Sequence, residues 1–291
     1  MVRITEQNGP IIGSKRARET RLSAAKVSEG VGERSEFSLS VSRALRILSL
    51  FGSERPTLGV SEISRALSLS KTSTLRFIQA LEMHGFLERD AEMRKYHPGI
   101  EAARVGNLYV GGSRLRRIAL PILERLVAQH GFTAYLTVLQ NDRMVILASV
   151  EAEGRLKYSV PLGAKLPVHS TATGQAALST LTSDEVEAIV RRAGMPARTP
   201  KTITTLPALM KALKEVRARG YSVIWETQSH GVGSVAAAVP KPDAKVVTVL
   251  SLGFATSQVT SEGLPSLGET IRKAAATMAR LLAQEEHKHA A

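Results

Sequence analysis

Apolar residues recur at helical spacing from residue 40 onward, whereas residues 1–36 show no such periodicity. Gly, Ser, Arg and Glu dominate residues 1–36, so we interpret them as a flexible tail. A first helix, expected to end at Gly52, is predicted from one stripe of apolar positions: Val41, Ala44, Leu45, Leu48 and Phe51.

Two short amphipathic helices follow in residues 59–90, "GVSEISRALSLSKTSTLRFIQALEMHGFLERD". Gly59 as N-cap with Glu62 three residues later predicts the start of the first helix, and "SLS" predicts a tight turn after it. Two short strands around a turn at residues 90–94 come next. The pattern predicts a winged helix-turn-helix over residues 37–98. The second helix is expected to bury Thr74, Phe77, Ile78 and Leu81.

The opposite face of this second helix exposes short hydroxylated and basic side chains. Such side chains allow a helix N-terminus, here capped by Ser70, to approach phosphates and base edges closely. Arg76 can contact guanine, Leu75 can contact a thymine methyl, and the hairpin can reach the backbone or minor groove. An ordinary three-helix unit with a polar surface is the alternative. The predicted DNA contacts are Ser70, Lys71, Thr72, Ser73, Leu75, Arg76, Arg94, Lys95 and Tyr96.

The rest of the chain predicts a linker helix over residues 99–113, with Ile100 and Leu108 facing inward, and a second domain over 114–285. After an opening helix, the apolar period in this domain changes toward that of strands. A mainly antiparallel sheet with helices on one face, of the α+β class, is expected. Strands are predicted at 134–139, 144–150, 156–160, 221–225, 233–239 and 246–252, with helices at 174–180, 183–192, 206–219 and 267–282.

Composition narrows the class of protein. The 291 residues include no Cys, which excludes disulfides, thiolate metal sites and a Cys nucleophile. No apolar run has membrane-spanning length and no signal-peptide pattern is seen, so a cytoplasmic protein is expected. The formal charge of +13 fits a polyanionic partner, but it is spread along the chain. For residues 1–36 we favour a passive tail over a basic DNA-contacting arm, because Glu residues offset much of the positive charge.

No catalytic or metal-binding set stands out. The nucleotide-binding loops, the Gly-x-Ser-x-Gly elbow and the His-Glu-x-x-His motif are absent from the sequence, and the seven His residues lack metal spacing. His169 and Ser170 are adjacent, and neighbours on a loop rarely place a base on a nucleophile. We therefore expect no enzyme activity, no cofactor and no metal.

One segment, "PLGAKLPVHSTATGQAALS" at residues 161–179, leads from small and hydroxylated residues into a helix predicted to start at Gly174. Amide groups and the positive end of a helix dipole meet at such a start, which suits a small carboxylate. A well-capped buried helix without a ligand is an equal alternative.

Five stretches carry a resemblance to the isocitrate lyase regulator (IclR) family of bacterial transcription factors over about residues 39–282. They are "ALRILSLF", "LSLSKTSTLRFIQALEMHGFLERD", "PVHSTATGQAALS", "VRARGYSVIWETQSHGVGSVAAAVP" and "VVTVLSLGF". The resemblance implies a winged helix-turn-helix, a linker helix and a C-terminal GAF-like antiparallel-sheet domain that binds an effector. It also implies dimers, or dimers of dimers, on palindromic operators, with a small organic or aromatic acid as effector. From what is usual in this family, and not from particular residues, we expect a repressor of catabolic genes.

The resemblance places the effector pocket at Ala172, Thr173, Gly174, Ile224, Ser234 and Ser251. Ile224 stands where some relatives carry an acidic residue, Gly253 where a second serine occurs, and Gln175 where Lys or Arg is common. The implied pocket is less polar than one for a two-carbon acid, so we hypothesise a larger aromatic or longer-chain carboxylate. The alternatives are an activator of the same architecture, an enzyme with an appended DNA-binding domain, and a second domain that only oligomerises.

Overall fold

The computed structural model describes residues 39–52, 55–153, 159–240 and 246–290. The chain divides into two compact units, Met1–Arg104 and Val105–Ala291. The predicted tail over residues 1–36 lies outside the described residues. Among the described helices, none is long and apolar enough to cross a membrane.

The N-terminal unit is a three-helix arrangement followed by a hairpin. Helix α1 covers residues 39–48, α2 Val60–Leu67 and α3 Lys71–Met83. Strands β1 (Leu87–Arg89) and β2 (Tyr96–Pro98) pair antiparallel. These elements confirm the predicted winged helix-turn-helix fold.

Local capping explains where α2 and α3 begin. The Glu62 carboxylate accepts a hydrogen bond from the Gly59 amide at 2.7 Å, and this bond holds the pKa of Glu62 below its usual value. Ser70 Oγ accepts from the Ser73 amide at 3.1 Å, so the predicted N-cap of α3 is confirmed. Ser68 closes α2 in the left-handed region, with φ of 53°, which produces the tight turn between the two helices.

The buried face of α1 differs from the predicted stripe. Ile47 is fully buried, whereas Val41 and Leu45 are 50% and 57% exposed. The buried face runs through Ala44, Ile47 and Leu48, at helical spacing, and leaves Val41 and Leu45 at its edge. The core of this unit consists of Ile47, Leu58, Ile63, Leu67, Ile78, Leu87 and Tyr96.

Helix α4 (Ile100–Gly112) spans the boundary between the two units. Its apolar side chains do not face inward as predicted, because Ile100 is 70% exposed and Leu108 is 65% exposed. Val105 and Tyr109 are exposed as well. The helix therefore presents an apolar surface to solvent in the single chain.

The C-terminal unit is built on a six-stranded antiparallel sheet in the order β5-β4-β3-β8-β7-β6. Helix α5 (Arg114–His130) precedes the sheet and α9 (Leu264–Ala290) ends the chain. The strands are β3 (Thr133–Gln140), β4 (Arg143–Val150), β5 (Lys165–Pro167), β6 (Ser222–Trp225), β7 (Val232–Ala238) and β8 (Thr248–Ala255). The other helices are α6 (Ala172–Leu178), α7 (Ser183–Ala193) and α8 (Leu206–Arg219).

Helices cover both faces of this sheet, so the prediction of helices on one face is wrong. Helices α5 and α9 pack on Leu136, Leu250 and Leu252, whereas α6, α7 and α8 pack on Met144 and Val249. Seven of the eight residues of β8 are buried. A strand that is covered on both faces does not alternate cleanly between apolar and polar residues. The sequence pattern alone therefore did not show that helices pack on the second face.

Some predicted boundaries shift. Helix α6 begins at Ala172 with Thr171 as its N-cap, two residues before the predicted start. The strand predicted at 156–160 lies mostly outside the described residues, and its described part, 159–160, is not a strand. The connection between the strands predicted at 233–239 and 246–252 also lies partly outside them, at residues 241–245. The edge strand beside β4 is β5, which pairs Leu166 with Met144.

Candidate functional sites

The exposed face of α3 is polar at its start and carries no acidic residue in its first turn. Lys71, Thr72, Leu75 and Arg76 are exposed, and Thr74 and Ile78 are buried on the opposite side. Ser73 is half-buried, and its hydroxyl accepts from the Ser70 hydroxyl at 2.9 Å. Gln79, one turn beyond Arg76, is exposed on the same face and was missed. Its i+3 spacing from Arg76 was the available signal.

The hairpin presents Arg94 but not Tyr96. Asp90 Oδ1 accepts from the amides of Glu92 and Met93, and Arg94 at φ 51° closes this turn with an exposed side chain. Tyr96 is 4% exposed and belongs to the core, so its predicted role as a DNA contact is wrong. The cause is the bridge between Tyr96 and Leu58, which pins this part of β2 onto the core.

Lys95 lies beside α2 rather than extending freely from the hairpin. Its Nζ is 3.5 Å from Glu62 Oε2, and both side chains are largely exposed, so this ion pair is weak. An open groove with about 1150 Å³ of free space runs along this side of the unit. Arg55 and Arg65 line it together with Lys95, and neither arginine was predicted as a contact.

A pocket with about 420 Å³ of free space, counted to its open mouth, lies on the α6 face of the C-terminal sheet. Ser234 pairs with Gly253 and with Ile224, which sets these positions side by side on three adjacent strands. Strand alternation places Ser251 on the same face. The lining residues are Tyr135, Ile146, Val160, Leu166, Thr171, Ala172, Thr173, Ile224, Gln228, Val232, Ser234, Ser251 and Gly253.

The structure therefore brings together Ala172, Thr173, Ile224, Ser234 and Ser251 from the predicted pocket. Gly174, also predicted, is not among the described lining residues. A Cβ at Gly174 would come 2.2 Å from the carbonyl oxygen of Val168, and the Gly174 amide donates to Thr171 Oγ1 at 3.1 Å. Because it has no side chain, Gly174 allows α6 to pack closely against the preceding loop. It does not face the pocket.

Both parts of the chain match family models. Residues 107–280 match the model described as bacterial transcriptional regulator IclR C-terminal, and residues 40–91 match the IclR helix-turn-helix domain. The chain belongs to the IclR family. It is thus a helix-turn-helix transcriptional regulator, as the resemblance in its sequence implied.

Individual IclR-family relatives align over most of their length. The HTH-type transcriptional regulator XynR of Escherichia coli K12 is 32% identical over 244 residues, which cover 84% of this chain and 96% of XynR. The HTH-type transcriptional repressor AllR of Salmonella paratyphi A is 29% identical over 236 residues, 81% of this chain and 87% of AllR.

A solved IclR homologue shares the fold. This structure, from Microbacterium hydrocarbonoxydans in complex with 4-hydroxybenzoate, aligns with a TM-score of 0.68 at 24% identity. The alignment covers 83% of this chain and 99% of that one.

The pocket of this IclR-family chain has a pattern of polar groups that the sequence did not reveal. Tyr135 and Gln228 line it, and Tyr135 Oη accepts a hydrogen bond from the Val160 amide at 3.2 Å. No charged side chain lines the pocket among the described residues. Gln175, which replaces the expected Lys or Arg, is buried and donates from Nε2 to the His169 carbonyl at 3.1 Å.

His169 and Ser170 are engaged with separate partners. His169 Nε2 donates to the Pro196 carbonyl at 3.1 Å, and Ser170 Oγ donates to Gln228 Oε1 at 2.5 Å. Burial lowers the pKa of His169, because it penalises the charged form of the imidazole. The two side chains do not form a base and nucleophile pair.

Proposed function

We propose that this chain is an effector-responsive transcriptional repressor whose α3 enters the major groove of its operator. The observation that carries the proposal is the capped start of α3, where Lys71, Thr72, Leu75 and Arg76 are exposed together. A helix start of this kind can place amides near phosphates and side chains near base edges. AllR is named a repressor, which supports this sign of regulation over an activator.

We assign DNA binding to residues 37–98, the linker to 99–113, and effector binding with oligomerisation to 114–285. The exposed apolar residues of α4, among them Ile100 and Leu108, fit contact with a second copy of the chain. A two-fold dimer would present two α3 helices to a palindromic operator. We further propose that the protein acts in the cytoplasm, where its DNA is, as a regulator and not as an enzyme.

The proposed effector is an aromatic or longer-chain organic acid. One side of the pocket is apolar, with Ile146, Leu166 and Ile224, and polar groups are contributed by Thr173 and Ser251. A cleft that is mostly apolar and carries a few polar groups is typical of small-molecule sites. The 4-hydroxybenzoate in the Microbacterium homologue is an acid of this class, which supports the choice.

The test is a fluorescence anisotropy titration of the full chain on the promoter region next to its own gene, at physiological salt. The titration is repeated with benzoate, 4-hydroxybenzoate, phenylacetate, hexanoate, pyruvate and glyoxylate. Specific binding that an aromatic or longer-chain acid shifts is expected. Preference for glyoxylate or pyruvate would contradict the effector class. Specific binding that no acid changes would favour a second domain that only oligomerises, and a reporter in a deletion strain separates repressor from activator.

A further inference from the structure

The loop between β6 and β7, residues 226–231, is fastened at its start. Glu226 adopts a left-handed backbone conformation with φ of 59°, which is costly for a residue other than glycine. Three contacts hold it: its Oε1 accepts from the Gly231 amide at 2.9 Å, its Oε2 accepts from Lys201 Nζ at 2.8 Å, and its carbonyl accepts from Thr199 Oγ1 at 2.6 Å. The loop therefore has a defined conformation.

The next two residues of the loop are tied to Ser170, the residue before the N-cap of α6. Thr227 Oγ1 donates to the Ser170 carbonyl at 2.7 Å, and the Thr227 carbonyl accepts from Thr202 Oγ1 at 2.7 Å. Ser170 is fully buried, and its hydroxyl donates to Gln228 Oε1 at 2.5 Å. The oxygen of the Gln228 carboxamide is thus engaged, which orients its NH₂ group away from Ser170.

Most hydroxyl donors around the pocket are already used within the protein. Thr171 Oγ1 donates to the Pro167 carbonyl at 2.6 Å, and Ser234 Oγ donates to the Leu252 carbonyl at 2.8 Å. Thr173 Oγ1 donates to Thr171 Oγ1 at 3.4 Å. Each of these three hydroxyls must give up an existing bond to donate one to a ligand, and Thr171 Oγ1 also accepts already from the Gly174 amide and from Thr173 Oγ1.

Two side-chain donors on the lining make no hydrogen bond within the described part of the chain: Gln228 Nε2 and Ser251 Oγ. We propose that Gln228 determines the specificity of the pocket for acids, because its oriented NH₂ group donates to the effector carboxylate. Ser170 is the positioning residue that holds the carboxamide in this orientation. The inference rests on the proposed function, in which the pocket takes an organic acid.

A donor at Gln228 predicts that the pocket prefers a carboxylate to the matching carboxamide. Replacing the donor by an acceptor should reverse this preference. A carboxylate only accepts hydrogen bonds, and a bond from an amide to a charged acceptor is stronger than one to a neutral acceptor. Gln228→Glu would replace the donor by a negatively charged acceptor of the same shape. The variant should repel a carboxylate and accept from the NH₂ group of the matching carboxamide.

The experiment measures Kd by calorimetry for matched acid and amide pairs: benzoate with benzamide, 4-hydroxybenzoate with 4-hydroxybenzamide, and phenylacetate with phenylacetamide. The full-length wild type, Gln228→Glu and Ser170→Ala are compared. Gln129→Glu makes the same change on the exposed surface of α5 and serves as the matched control. Thermal unfolding and operator binding without effector show that each variant is folded.

The wild type and Gln129→Glu should bind the acid better than its amide. Gln228→Glu should weaken acid binding by about tenfold to a hundredfold and should bind the amide better than the acid. Ser170→Ala should lower the ratio of acid to amide affinity, a change that general loosening of the pocket would not cause.

Unchanged acid preference in Gln228→Glu would overturn the assignment of Gln228 while leaving the acid sensor intact. Operator binding by a wild type that binds none of the acids would overturn the acid sensor, and the assignment of Gln228 with it. An equal loss of acid and amide affinity in Ser170→Ala would overturn the positioning role of Ser170.

Discussion

Arg76→Ala tests where α3 meets the bases. Arg76 lies on the second turn of α3, about 9 Å along the helix axis from Ser70 at 1.5 Å per residue. A recognition helix lies in the major groove, which is about 12 Å wide, with its N-terminal residues facing the base edges, so the long side chain of Arg76 can still reach a guanine from this turn. For Lys71, at the first position of the helix beside the cap, we expect a contact to a phosphate, because helix N-termini and Lys side chains are typical phosphate ligands.

The expected cost follows from the type of contact. A bidentate Arg–guanine contact contributes about 1–3 kcal/mol of discrimination, which is about fivefold to 150-fold in Kd for each half-site. A phosphate contact instead weakens binding to all sequences and lowers the slope of log K against log salt by about 0.9. Arg76→Ala should therefore reduce discrimination between sequences, whereas Lys71→Ala should reduce affinity for all sequences and its dependence on salt.

The assay is anisotropy titration of both variants on the operator and on a shuffled duplex of equal length, from about 50 to about 200 mM salt, the range over which phosphate contacts show. Arg76→Ala should lose affinity for the operator and keep most of its affinity for the shuffled duplex. Lys71→Ala should lose affinity for both. Equal losses on both duplexes for Arg76→Ala would refute the placement of the recognition face.

Three further outcomes are expected. Arg65→Ala, in the groove beside α2, should reduce the salt slope by about 0.9 without changing specificity, and an unchanged slope would exclude a phosphate contact there. Ser234→Leu with Ser251→Leu should fill the pocket and abolish the acid response in the anisotropy assay while operator binding persists. Because burial lowers the pKa of His169, the unfolded state protonates first, and stability should fall as pH drops through the unfolded value of about 6.5. Thermal unfolding of His169→Gln from about pH 7.5 to about pH 5.5 should show a smaller fall than the wild type, and an equal fall would contradict this role.

Features that depend on a few neighbouring residues were predictable. The Gly59–Glu62 contact and the Ser70–Ser73 cap span three residues each, so the residue types alone specify them. Ser251 was placed in the pocket by the family resemblance, and alternation along β8 sets it on the pocket side, opposite Leu252. For these two caps, the residue types that predict the contact and the atoms that make it lie within the same few residues.

Features set by distant partners were not predictable in this way. Tyr96 looked like an exposed wing residue, and only its bridge to Leu58, far back in the chain, buries it. Gln228 had no local mark of function, because its orientation comes from Ser170, which lies far from it in sequence. Such contacts follow from the tertiary arrangement, which the periodicity of one segment does not encode.

The two candidate sites lie in different units, so an effect of an acid on DNA binding requires a connection between them. Helix α4 is the segment that spans the boundary, and an effector can shift its arrangement only by binding two states unequally. Gly106, Gly111 and Gly112 lower its intrinsic stability, and a Cβ at each would meet open space. Ile100 and Leu108 are exposed, so these two apolar side chains of the helix are not buried against the described part of the chain. In the dimer proposed above, a second copy of the chain would cover these two side chains, and the response to effector would then depend on that contact.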